Sequence, residues 1–88
     1  MIMCSAIFIR PPGERYPVII GGFRHANCYE KAMQLGIRDA FGFNTTVEGF
    51  INDQNHFLDR YAAKEEAEAC GQLKKPTNDK RLFSEDIW

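Results

Sequence analysis

Glu48-Gly49-Phe50-Ile51-Asn52-Asp53-Gln54-Asn55-His56-Phe57-Leu58-Asp59 is the stretch on which the reading of this chain turns. Two short apolar runs, Gly49-Phe50-Ile51 and His56-Phe57-Leu58, flank the turn cluster Asn52-Asp53-Gln54-Asn55. Asn and Asp side chains bond their own backbone in tight turns, so the pattern predicts a β-hairpin. Asp59 is a good N-cap for a helix from Arg60 to about Cys70, which Gly71 ends. Its apolar positions are Ala62, Ala63, Ala67, Ala69 and Cys70. Such small side chains let a helix approach a sheet closely but bury little area each. Tyr61 and neighbouring phenylalanines are expected to supply the bulk.

Outward from this hairpin the same alternation of elements repeats. Met3 to Ile9 is apolar and rich in β-formers, and Pro11-Pro12-Gly13-Glu14 ends it as a turn. Val18-Ile19-Ile20 resumes the character before Gly21-Gly22, which suggests an N-terminal hairpin or meander. Pro17 cannot donate to a ladder, so it belongs at a strand start or a sheet edge. From His25 to Leu35 the period becomes helical, with Ala26, Tyr29, Ala32 and Met33 on one face. Gly36 suits the C′ position, with Ile37 packing back after it. Asp39 to Phe50 reads as extended, with Phe41, Phe43, Val47 and Phe50 interrupted by Gly42 and Gly49. Lys74 to Arg81 reads as a polar, basic surface loop. Leu82-Phe83 and Ile87-Trp88 return to apolar character and are expected to dock on this domain or on a partner subunit. The prediction is a single α+β domain spanning 1–88, an antiparallel sheet with two helices in the order β-β-α-β-β-α-β.

Composition narrows the function classes. At 88 residues the chain buries only about 60–65% of its unfolded surface, and small cores of this kind often gain burial by self-association. A net charge of −1 gives no bulk attraction to DNA or to an anionic membrane. Arg10, Pro11 and Pro12 stop the apolar N-terminus well short of the ~20 residues of a membrane span. Three widely spaced cysteines, Cys4, Cys28 and Cys70, without a signal peptide read as reduced thiols in a cytoplasm.

Four groups of residues could carry chemistry. Arg24-His25-x-x-Cys28 lies behind Gly21-Gly22 at a helix start. Exposed backbone N–H groups there, with the Arg24 charge, suit a phosphate. The alternatives are a buried structural Cys28, or a zinc site drawing on Cys4, Cys70 and His56, for which no Cys-x-x-Cys exists. Phe50, Asn52 and Arg60 could read a base or ribose, although an aromatic on a sheet more often belongs to the core. His25 and Cys28 as a nucleophilic pair lack any supporting motif, and no Gly-x-Ser-x-Gly, P-loop or His-Glu-x-x-His is present. Lys74-Lys75 with Lys80-Arg81 is a solvated loop or a lid over an anion. No catalytic set, metal or cofactor is expected.

Several motifs in one order carry a family resemblance. They are Gly22-Phe23-Arg24-His25-Ala26-Asn27-Cys28, Glu48-Gly49-Phe50-Ile51, His56-Phe57-Leu58-Asp59-Arg60, Ala67-Glu68-Ala69-Cys70-Gly71-Gln72 and Leu82-Phe83-Ser84-Glu85-Asp86-Ile87. The set resembles small proteins of bacteriophages and prophages, and among them looks most like the first type of Thoeris anti-defence protein. That resemblance implies a sponge, a homo-oligomeric protein that holds a cyclic ADP-ribose immune signal without cleaving it. Relatives also take up cyclic oligonucleotides. His56 stands where the pattern has arginine, and Tyr61-Ala62-Ala63 replaces a more acidic first turn.

The resulting expectation is a non-enzymatic protein of the host bacterial cytoplasm that sequesters a nucleotide signal. Its ligand contacts are expected at Arg24, His25, Phe50, Asn52, Arg60 and Arg81. Two other classes stay open. One is an inhibitor of a host protein, anchored by Phe83, Ile87 and Trp88. The other is a small nucleotide hydrolase.

Overall fold

A computed structural model describes residues 1–10, 16–37 and 46–88. The turn expected at Pro11 to Glu14 and the extended segment around Phe41 and Phe43 lie outside the described residues. Strands β1 (Ile2–Ile9) and β2 (Val18–Gly22) are followed by helix α1 (His25–Gln34). Strands β3 (Thr46–Asn52) and β4 (Phe57–Asp59) are followed by helix α2 (Arg60–Ala69) and a 3-10 turn at Ser84–Asp86. The fold is α+β, as the alternation of patterns implied. The closing apolar segment contributes this turn in place of a last strand.

The four strands form one sheet in the order β2-β1-β3-β4, antiparallel throughout. Pro17 immediately precedes the edge strand β2, where no ladder donor is lost. Register places Ser5 opposite Phe50 and Ile7 opposite Ile20, so Ser5, Ile7 and Ile9 share a face with Phe50 and Leu58. Both helices cover that face. α1 closes a cluster of Ile7, Ile9, Ile20, Cys28 and Ala32. α2 closes a second of Ile2, Phe50, Ala63, Ala67 and Leu82. Leu58, Leu73, Ile87 and Trp88 pack around the second cluster, so the segment after Leu82 docks on this domain.

Two helix faces differ from the sequence reading. Met33 is exposed, and the residues of α1 buried in the core are Cys28 and Ala32, one turn apart. Tyr61 is also exposed, and the bulk above Ala63 and Ala67 comes from Phe50 and Leu82. Both helices end as their glycines indicated. At Gly36 (φ 74°) and Gly71 (φ 71°) the chain enters the left-handed region. The amides of Ile37 and Gln72 then reach back to the carbonyls of Ala32 and Ala67, each at 2.9 Å. This is the Schellman closure that glycine makes cheap. Asp59 caps α2 by accepting from the Ala62 amide at 2.8 Å.

Candidate functional site

The antiparallel connections bring the starts of α1 and α2 to the same end of the molecule. Arg24 is the N-cap of α1, in extended backbone, and its amide donates to the Asn27 side chain at 3.0 Å. Arg60 opens α2 directly behind its cap, Asp59. Between them runs the segment Phe83-Ser84-Glu85. Together Arg24, His25, Ala26, Arg60, Phe83, Ser84 and Glu85 line an open hollow of about 470 Å³. Two helix N-termini and two guanidiniums meet there, with the Glu85 carboxylate beside them.

Each charged group in the hollow is held by named partners. Arg60 donates to a Glu48 carboxylate oxygen at 2.6 Å and to the Leu82 carbonyl at 2.8 Å. The other Glu48 oxygen accepts from the Tyr29 hydroxyl at 2.9 Å. Partial burial pushes the Glu48 carboxyl up, but the bonds from Arg60 and Tyr29 outweigh it and leave the group below its ordinary range. Burial and the same carboxylate push the Tyr29 hydroxyl up to about 12. Arg24 donates to the Ser84 hydroxyl at 2.9 Å and to the Trp88 backbone oxygen at 3.2 Å. A guanidinium carries five N–H donors, so these two bonds do not exhaust it.

His25 is set by the sheet beneath it. Its Nε2 lies 2.8 Å from the Gly49 carbonyl, an acceptor, so Nε2 carries the proton. Burial lowers its pKa below the ordinary histidine value, and the Arg60 charge lowers it further against the pull of the Gly49 carbonyl. The neutral ring then keeps Nδ1 as an acceptor. Its edge packs on the Phe50 ring with centroids 5.2 Å apart.

Of the residues singled out in the sequence, Arg24, His25 and Arg60 meet in this hollow. Phe50 lies directly beneath it but is fully buried, so the expectation that it stacks on a ligand is corrected: its ring serves the core. Asn52 sits elsewhere, at the β3–β4 turn. Its side-chain oxygen accepts from the amides of Gln54 and His56, at 3.1 and 2.9 Å, and its nitrogen donates to Glu66 at 3.0 Å. Its role is to hold the hairpin. Arg81 pairs with Asp79 at 3.2 Å, and its guanidinium lies 5.2 Å from the Phe83 ring, at the border of the hollow. Cys28 is the buried structural thiol among the alternatives weighed above, bonding the Ser5 carbonyl at 3.6 Å.

Two residues that line the hollow, Phe83 and Ser84, and Phe23 outside it were not singled out as ligand contacts. The Phe83 ring lies 5.0 Å from the Arg60 guanidinium. Ser84 is buried, with its hydroxyl on Arg24. Phe23 is 60% exposed, is stacked on Trp88 at 5.8 Å, and has the Arg24 guanidinium 4.9 Å from its ring. The signal was present in Phe23-Arg24 and Leu82-Phe83-Ser84, each an aromatic beside a polar group. Only tertiary contact relates the two pairs.

No helix among the described residues is long and apolar enough to cross a membrane. Comparison with curated proteins and with solved structures gives no match. Comparison with known families gives one, the phage T4 y16D protein, which covers residues 1–88. The motifs that line the hollow and those that build the sheet therefore fall within a single family span, and the chain belongs to the phage T4 y16D protein family.

Proposed function

We propose that this phage protein binds a small phosphorylated nucleotide and holds it without cleaving it. The intended ligand class is the cyclic immune signal, of the cyclic ADP-ribose or cyclic oligonucleotide type, and the protein acts as an anti-defence sponge in the host cytoplasm. The observation that carries this reading is the convergence of Arg24 and Arg60 on one hollow at two helix N-termini. Its volume of about 470 Å³ falls in the range of roughly 300–1,000 Å³ typical of small-ligand sites. Arg24, whose bonds to Ser84 and Trp88 leave guanidinium donors over, can bond a phosphate oxygen there, with the Arg60 charge close by.

Holding fits the site better than cleaving. Ser84, the hydroxyl in the hollow, receives its bond from Arg24, a cation that cannot act as a base. The hollow is open on one side, and self-association that covers the opening belongs to the same proposal.

The test is direct. The purified protein is incubated with cyclic ADP-ribose isomers and cyclic oligonucleotides, freed of unbound ligand, and heated to release what it kept. Recovery of intact nucleotide in stoichiometric amount supports capture. Recovery of degradation products rejects sequestration, and recovery of nothing rejects nucleotide binding.

A further inference from the structure

We infer that the Glu85 carboxylate is a displaceable counter-ion that occupies the anion position of the hollow and thereby sets its affinity. The inference rests on the proposed anion site and assigns its two arginines different tasks. Arg60 is bound at 2.6 Å to Glu48, a carboxylate that also accepts from Tyr29. That pair ties β3 to the start of α2, and an incoming anion has no reason to break it. Arg24 has a looser partner. Its Nη1 lies 3.8 Å from the Glu85 Oε1, and the same oxygen lies 3.4 Å from the Ser84 hydroxyl.

An oxygen between a guanidinium and a hydroxyl, too far from both for strong bonds, marks a place where a better-fitting anionic oxygen would go. The Glu85 side chain is 73% exposed, so it can rotate into water. A solvated ion pair of this kind contributes little, and breaking it costs little. The turn that carries it is fixed without it: the Phe83 amide donates to Asp86 at 2.9 Å and Arg24 holds Ser84. Glu85 can therefore leave while the anchor stays in place. A phosphate oxygen would take its position on Arg24 and Ser84, with a shorter, charge-assisted bond. Until then the two arginines are balanced by Glu48 and Glu85, which keeps weakly charged anions out.

Pyrophosphate binding tests this without depending on the nucleotide. It is measured by calorimetry on the wild type, on Glu85→Gln and on Glu65→Gln, where an exposed carboxylate of α2 outside the hollow is neutralised. Glu85→Gln is expected to bind pyrophosphate roughly three- to tenfold more tightly, from loss of a like charge a few ångströms from the bound anion. Glu65→Gln is expected to match the wild type. Equal gains in both variants reduce the effect to net charge and overturn the inference. An unchanged or weaker Glu85→Gln, or no pyrophosphate binding by any form, also overturns it. Tighter pyrophosphate binding with no retained nucleotide would uphold the counter-ion and reject the sponge. Retained nucleotide with an indifferent Glu85→Gln would do the reverse.

Discussion

Gly49→Ala is the substitution that tests the architecture most sharply. Gly49 lies in β3 between Ala6 of β1 and Asp59 of β4. A methyl group built there would collide with the Leu58 carbonyl oxygen and come within 2.6 Å of the tip of the Phe57 ring. The ring could rotate, but the carbonyl belongs to the backbone of β4 and can retreat only by opening the β3–β4 pairing. The Gly49 carbonyl also fixes His25 at 2.8 Å, so the disturbance reaches the hollow. Overpacking with backbone displacement costs about 3 kcal/mol or more. Against a total stability of roughly 5–10 kcal/mol for a domain of this size, that is a large share. The melting temperature should fall by roughly 10–20 °C. The control is Gly71→Ala, where no atom lies within 4 Å of the added methyl and only the positive φ opposes it. That change should cost about 1 kcal/mol. Urea unfolding followed by circular dichroism measures both. If Gly49→Ala costs no more than Gly71→Ala, the close pairing of β3 and β4 at this point is wrong.

Other outcomes follow from the same contacts. Phe50→Ala should destabilise the fold by about 3–5 kcal/mol in urea titrations, because a fully buried ring leaves a cavity under both His25 and Trp88. Acid should weaken the protein in two stages. The folded state lowers the pKa of both His25 and Glu48, so each contributes stability that is complete above its unfolded value, about 6.5 and about 4.3. That contribution is lost as pH falls through the lower folded value. Melting curves against pH should therefore decline below about 6.5 and again in the carboxylate range, and Glu48→Gln should lessen the second decline, to which Glu66 and Asp79 also contribute. Thiol labelling followed by mass spectrometry should modify Cys70 rapidly, since it is exposed. Cys28 should stay unlabelled in the native protein, because burial and the nearby Cys4 push its thiol up to about 11.

The hairpin, the two helices and their caps were legible because each depends on local chemistry. Asn52 closes its turn with its own side chain, Asp59 reaches the Ala62 amide, and Gly36 and Gly71 accept a left-handed backbone. Periodicity failed where tertiary packing overrode it. Met33 and Tyr61 fit the apolar stripe of their helices but point past the sheet, while small Cys28 and Ala63 sit where the backbone approaches closely. The site was half legible. Charge at a helix start marked Arg24 and Arg60, but nothing in the order of residues shows that two helix starts share one end of the molecule. Asn52 and Phe50 looked like ligand contacts because turn-closing and core-filling residues share their chemistry with base-reading ones. Ser84, held by Arg24 across sixty positions, has no local signature at all.

Chemical-shift mapping of the ¹⁵N-labelled protein during titration with a cyclic ADP-ribose nucleotide tests the central claim most directly. The account requires the largest amide shifts at Arg24, His25, Ala26, Arg60, Phe83, Ser84 and Glu85, with Asp53 to His56 unaffected. Shifts centred on the face of the sheet opposite the two helices, or no shifts at millimolar nucleotide, would contradict it.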